Sequence, residues 1–426
     1  MGGKAKTDTY PLSKKPHPFI SIWGYSAIAA LVFSLSSDRR FGVWFLVLAF
    51  IPAIFFLRSY YLREPHIRLL ILFYLFHLWG MLFTDDLKEG WLDIQQKSAF
   101  LLFPLLVPLM RSFDKKRKDW LVLFYLAGLI ITALISWTVA LGNFWEESYA
   151  RLHYLELADY PYTNYFFSGR LTRFIHPGYF AAMLLFGVFL LQKQYSALCL
   201  VRHNRMIILN IQLFFLLTII CSLSKSTILL LPVLLLFMFA SSGSLLPVLR
   251  RGFWIIPISC FLLGLIISSI PVIRGGFANA WQAISNPQVK NPDTTTESSQ
   301  LRLLTWKTAW QIFKEHPLAG VGTGDVNPAL CTAYAESSYA APAEKHLNAH
   351  NQFLQTAVAL GLPGLMSLLS LPLFALYRGI KKKNNLWLLL GIMMFWLPMT
   401  ECWLEQQHGM FFFLFWWSYL VATDEP

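Results

Sequence analysis

The stretch KHLNAHNQFLQ, residues 345–355, gathers two histidines, two asparagines and a lysine just ahead of a long apolar run. An imidazole, with an unperturbed pKa of about 6.5, takes up a proton readily at neutral pH. His350, at the polar edge of the run, is therefore a candidate general base, the bland alternative being a structural histidine. Asn351 beside it is placed to orient the ring or a substrate hydroxyl. His346 and His350 stand four apart, as helical metal ligands do, but no acidic partner of the HExxH kind accompanies them, and no metal site is expected.

Cations with few neighbours are the second group. Between Met206 and Leu249 the only acidic, basic or histidine side chain is Lys225, in CSLSKSTILLL. It marks a hairpin tip between two apolar runs, where it either snorkels to the interface or holds an anionic group. Arg302 opens an amphipathic segment, and its fork of donors suits a phosphate as well as it suits a nearby carboxylate. In SGRLTRFIHPGYF, Arg170, Arg173 and His176 precede another apolar run. Two arginines on one face repel unless an anion lies between them, and their alternative role is interfacial anchoring. GVGTGD at 320–325 lacks the GK[ST] of a nucleotide loop and reads as a turn.

The elements that must carry these groups are helices in a membrane. Of 426 residues, 56% are hydrophobic and 14% charged, against about 25% charged in soluble domains. Apolar runs near the ~20 residues of a helical crossing fall at 18–36, 41–57, 68–84, 98–110, 120–141, 178–192, 206–222, 227–248, 253–271, 353–377, 386–400 and 409–422. The expected fold is one all-α polytopic unit over residues 1–426 with about twelve spans, the fourth being short. No cleavage site follows the first run, so it is expected to stay as an anchor. Of the 35 Lys and Arg, 21 fall on the side of the N-terminus, which makes that side, and both termini, cytoplasmic by the positive-inside rule.

Two outer segments exceed mere connectors: residues 142–177, and residues 272–352 between spans nine and ten. The second holds NPQVKNPDTTTESSQ, read as flexible, and then LRLLTWKTAWQIFKEHP, read as a helix that Pro317 stops. Leu303, Trp306, Trp310 and Phe313 share its apolar face, expected against the bundle or the lipid surface. His77, inside the third run, reads as a polar contact between helices. Cys199, Cys221, Cys260, Cys331 and Cys402 show no paired spacing, so neither a disulfide framework nor a zinc site follows. The basic residues sit in short loops where membrane orientation explains them, which argues against nucleic acid.

LRLLTWKTAWQIFKEHPLAGVGTGDV at 301–326, with HNQFLQTAVALGLPGL at 350–365, resembles the signature of the bacterial O-antigen ligase and O-antigen polymerase superfamily. That signature is an arginine opening a loop helix, an HP..G.G stretch, and an HN..L....G..G stretch leading into a span. The resemblance implies about twelve helices with a large periplasmic loop. It also implies transfer of a glycan from undecaprenyl pyrophosphate at the periplasmic face of the inner membrane, with no nucleotide sugar or other cofactor and, for ligases, no metal. By the same resemblance His350 matches the family histidine and Arg302 the loop arginine. Lys225, in SKST, stands where ligases often place an arginine in a TRAT-like tip, keeping the charge without the fork.

The expected reaction is transfer of O-antigen onto lipid A-core with inversion. His350 accepts the acceptor proton while Lys225 and Arg302, together with Arg170, Arg173 and His176, meet the pyrophosphate. Polymerisation and transfer to a protein hydroxyl are the alternatives within the superfamily, and a transporter of lipid or anion is the alternative outside it. The clustering of candidates at one face favours interfacial chemistry over transport.

Overall fold

The computed structural model describes residues 18–57, 61, 63–153, 164–198, 202–239, 257–265, 267–286 and 298–424. The charged leader, the basic run at 249–252 and most of NPQVKNPDTTTESSQ lie outside the described residues. Each of the twelve apolar runs is largely helical where it is described, the runs at 98–110 and 227–248 being broken by turns, and no strand occurs among the described residues. In chain order the helices are α1 Pro18–Phe33, α2 Arg39–Ala53, α3 Pro65–Gly80, α4 Leu87–Lys97, α5 Ala99–Leu105, α6 Val107–Arg111, α7 Lys115–His153, α8 Pro177–Leu198, α9 Arg202–Cys221, α10 Lys225–Ile228, α11 Leu231–Phe239, α12 Pro257–Ser269, α13 Pro271–Ser285, α14 Ser298–Glu315, α15 Val326–Glu336, α16 Ala340–Glu344, α17 Gln352–Lys382, α18 Asn385–Trp396 and α19 Gln407–Thr423.

Five of these, extended by their 3₁₀ ends, are long and apolar enough to cross a membrane: Pro18–Ser36, Arg39–Phe56, Pro65–Phe83, Lys115–Arg151 and Gln352–Lys382. A pair bent by 108°, α12 with α13, would add one broken span. Further apolar helices, Pro177–Lys193, Arg205–Cys221, Lys225–Phe237 and Asn385–Met399, are shorter. The protein is a helical membrane protein, and among the described residues five or six spans meet a strict length test where twelve were expected. The short fourth run is two helices, α5 and α6. Pro104 and Pro108 remove backbone donors there, so one continuous helix cannot form.

The core forms around α8 and α19. From Tyr179 to Leu191 every residue of α8 except Gly187 belongs to the buried hydrophobic set, and α19 is buried from Gly409 to Ala422. A helix apolar on all sides belongs in the middle of a bundle. Lipid tails are as apolar as leucine, so packing and not water exclusion holds such helices together. Ring contacts supply that packing: Tyr125 meets Trp416 edge-on at 5.0 Å, and Phe186 meets Phe412 edge-on at 5.5 Å between centroids.

A backbone latch joins α17 to α3. At Gly361 the helix leaves helical geometry, with φ 62° and ψ −156°. Pro363 has no N–H for the Ala359 carbonyl, and the Gly322 N–H supplies one at 3.1 Å. The Val321 N–H serves the Val358 carbonyl at 2.8 Å, while the Leu362 N–H turns to the Pro317 carbonyl at 2.8 Å. Irregular backbone at this depth persists because its polar groups are satisfied by protein. The same loop reaches α3 through Thr323, whose Oγ1 donates to the His77 carbonyl at 2.7 Å. Both halves of the sequence signature therefore form one structural joint. Gly320 and Gly361 adopt positive φ, and a Cβ on Gly361 would stand 2.6 Å from the Leu318 carbonyl carbon.

α14 packs on α17 through a stripe other than its aromatic face. Its buried residues are Leu301, Leu304, Thr305, Thr308, Ala309 and Ile312, while Trp310 is half exposed and Leu303, Trp306 and Phe313 are partly buried. Small side chains let two backbones approach closely, so the threonine and alanine stripe faces the protein and Trp310 points away. Within 142–177, residues 142–153 continue α7, and residues 272–352 hold α13 to α16.

Candidate active site

The HN segment is held from four sides. Asn351 caps α17, its Oδ1 accepting from the Phe353 and Leu354 N–H groups at 3.0 and 3.1 Å. Gln355 Oε1 takes the Ala349 N–H at 3.0 Å, and Asn348 Oδ1 takes the His350 N–H at 3.0 Å. From α14, Thr305 Oγ1 donates to the Ala349 carbonyl at 3.2 Å and Trp306 Nε1 to the His350 carbonyl at 3.3 Å. These bonds fix His350 at φ 45°, a left-handed conformation that side chains rarely adopt.

The ring of His350 is oriented by a carboxylate, not by Asn351. Its Nδ1 lies 2.9 Å from Glu401 Oε1. The hydrogen bond places the proton on Nδ1, which leaves the Nε2 lone pair as a base. Glu401 also accepts from Arg302 at 3.4 Å through its other oxygen and from the Cys402 N–H at 3.3 Å. Burial would raise the Glu401 pKa. The hydrogen bond from His350 and the positive charge of Arg302 overcome that and hold it down at about 2. Arg302 Nε donates to the Thr400 carbonyl at 3.0 Å and a terminal nitrogen donates to the Ser298 carbonyl at 3.4 Å. Three of its five N–H groups are thus engaged and two remain for a ligand.

His176 belongs to the same cluster. Although it keeps solvent access ahead of α8, desolvation by the protein around it lowers its pKa, Glu401 opposes that, and Arg302 adds to the lowering. Lys225 reaches the first turn of α14, donating from Nζ to Ser299 Oγ at 3.0 Å, one turn before Arg302. Four candidates, His350, Arg302, His176 and Lys225, are therefore gathered by α14 and the 400–402 loop. Arg170 and Arg173 are exposed ahead of α8, and among the described residues no hydrogen bond or ion pair ties their side chains to this cluster. Asn351 keeps only its amide donors for any further role, because its oxygen is committed to the cap.

Residues 211–369 match the family model described as O-antigen ligase. That stretch is similar to the O-antigen ligase family domain. That domain runs from within α9 into α17, so it contains Lys225, Arg302, His350 and Asn351, while His176 and Glu401 lie beyond its ends. Comparison with curated proteins gives no match.

Glu401 escaped sequence reading because it stands 51 residues from His350 in a loop with no periodic pattern. The one signal was TECWLEQQHG, two carboxylates four apart between apolar runs in a chain poor in charge. Its second carboxylate is structural: Glu405 Oε2 meets Lys97 Nζ at 2.6 Å, and Lys97 also meets Asp93 Oδ1 at 2.8 Å. Gln352 donates to Glu405 at 2.8 Å and accepts from the Leu404 N–H at 2.7 Å, which fixes the loop carrying Glu401 to the start of α17.

Proposed function

We propose that the protein transfers a glycan from undecaprenyl pyrophosphate to a hydroxyl of lipid A-core, as an O-antigen ligase does, with His350 as general base. The observation that carries this reading is the bond from Glu401 to His350 Nδ1 with Arg302 on the same carboxylate. The acceptor oxygen attacks the anomeric carbon while its proton passes to His350 Nε2. The bond from that carbon to the phosphate oxygen breaks, and charge grows on the departing pyrophosphate. The free donors of Arg302, with Lys225 beside it, stabilise that charge. A single in-line displacement inverts the anomeric centre. Arg170, Arg173 and His176 serve as outer contacts for the carrier phosphates, and the Asn351 amide donates to the substrate.

The site is proposed to face the periplasm from an inner-membrane bundle of twelve crossings over residues 1–426, with both termini cytoplasmic and residues 142–177 and 272–352 outside. The basic bias of the opposite loops supports this orientation. The decisive experiment is a reconstitution in detergent with lipid-linked glycan and lipid A-core. A covalent product without ATP is expected, unchanged by chelator, and lost by about 10²–10⁴-fold in His350→Ala. Full transfer by a folded His350→Ala protein would remove the base from the mechanism. Product formed only with a second lipid-linked unit, or only with a protein acceptor, would mark a polymerase or a protein-glycosylating enzyme. Movement of intact carrier lipid without a product would mark a transporter.

A further inference from the structure

At the end of the bundle opposite His350, a cavity of about 780 Å³ lies between the start of α7 and the ends of α8 and α19. Its wall carries four cations, Arg111, Lys115, Lys118 and Lys193, against two carboxylates, Asp119 and Asp424. Two partners behind the wall offset each other: Arg111 grips Glu64, and Asp424 accepts from Arg378 at 2.7 Å and from Trp387 Nε1 at 2.9 Å. Lys118 is fixed against α19, its Nζ donating to the Ala422 carbonyl at 3.1 Å while the Tyr419 hydroxyl donates to the Lys118 carbonyl at 3.3 Å. That Ala422 carbonyl is neutral, so the bond orients the ammonium without cancelling its charge. Lys115 and Lys193 are exposed, so a ligand can reach both.

Charge and depth narrow the ligand. The excess of lysines repels a metal cation and attracts an anion, and lysine ammonium groups bind phosphate as point charges. The volume falls within the roughly 300–1,000 Å³ of small-molecule sites. α19 runs from the loop that carries Glu401 to the cavity, and its 17 residues rise about 25 Å. The hydrocarbon core of a bilayer is about 30 Å thick. A bundle with the candidate active site at one interface therefore holds this cavity near the other, level with the headgroup phosphates, and a basic pocket between helices at that depth suits an anionic headgroup.

We propose that this cavity binds the phosphate of an anionic ligand, with Lys115, Lys118 and Lys193 as its donors and the headgroup of a membrane phospholipid as the source that its depth favours. The site is separate from the one proposed for glycan transfer, and its test needs no transfer activity. Full-length protein in detergent is titrated with phosphatidylglycerol, with phosphatidylcholine of the same acyl chains, and with soluble glycerol phosphate. Binding is read by native mass spectrometry and by the rise in melting temperature that a ligand of the folded state causes. Phosphatidylglycerol is expected to bind more tightly than the other two. Lys115→Gln and Lys193→Gln should each weaken it by about fivefold, and both are exposed, so neither variant strips the core. Lys116 and Lys382 are exposed as well but lie outside the cavity, so Lys116→Gln with Lys382→Gln should leave the affinity unchanged. Glycerol phosphate bound as tightly as the lipid, and weakened by the same two substitutions, keeps the phosphate site and gives it a soluble ligand. Three results overturn the site: no binding of either anion, phosphatidylcholine bound as tightly as phosphatidylglycerol, or equal weakening by the cavity lysines and the control pair, which would mean diffuse surface attraction only.

Discussion

At the scale of residues, Glu401 is the test of the proposed mechanism because one of its oxygens orients His350 and the other holds Arg302. Glu401→Gln keeps the shape but can offer an amide donor to Nδ1, which favours the wrong tautomer. The expected result is a fall in kcat of about 10²–10⁴-fold with little change in KM, measured with lipid-linked donor in the reconstituted assay. Stability carries a second signature. The folded pKa of Glu401, about 2, lies below its ordinary value of 4.5, so the ionised form stabilises the fold above pH 4.5, and that contribution is lost as pH falls through 4.5 towards 2. Its size is roughly 3 kcal/mol. Thermal melts of the parent and Glu401→Gln should differ most at neutral pH and converge near pH 2; a constant gap would refute the linkage. His350, Arg302 and Lys225 were legible because each sits in a patterned or nearly charge-free stretch. Glu401 was not, since nothing along the chain relates it to residue 350 before the loop folds back.

At the scale of elements, hydropathy made the helices legible and backbone chemistry decided how they break. The runs of apolar residues coincide with helices, yet α5, α6 and the bend within α17 depend on Pro104, Pro108, Gly361 and Pro363, whose effect on direction no periodicity reveals. Which face of α14 meets α17 was illegible for a related reason: aromatic spacing marks one apolar face, while the closer approach permitted by Thr305, Thr308 and Ala309 leaves no hydropathy signal. The latch at Gly361 predicts a defect distinct from that of a chemical residue. Gly361→Ala places a side chain at positive φ against Leu318, a strain of about 1–3 kcal/mol. It should lower the melting temperature of the purified protein and reduce transfer in proportion to misfolded material, leaving the pH dependence of the folded fraction unchanged. A shifted pH profile would mean that the latch also sets the electrostatics of the site.

At the scale of the whole molecule, the site lies where three distant parts of the chain meet, and one buried lysine holds that meeting together. α3 and α4 come from the first quarter of the chain, the HN segment from its last quarter, and the 400–406 loop from close to its end. Lys97, with no exposed surface, joins α4 to the last of these through Glu405, and through Asp93 it is coupled to His77 on α3. Removing one partner of a buried ion group leaves uncompensated charge and costs about 3–5 kcal/mol. Lys97→Met strands both carboxylates and should unfold the end of the bundle that carries the candidate site, read as early melting and loss of transfer together. Neutralising those carboxylates as well, with Asp93→Asn and Glu405→Gln, removes the stranded charge, so the triple variant should regain most of the stability. If it melts as early as Lys97→Met alone, packing of the lysine stem and not its charge is what keeps the three segments in place, and the route from ion network to catalytic geometry fails.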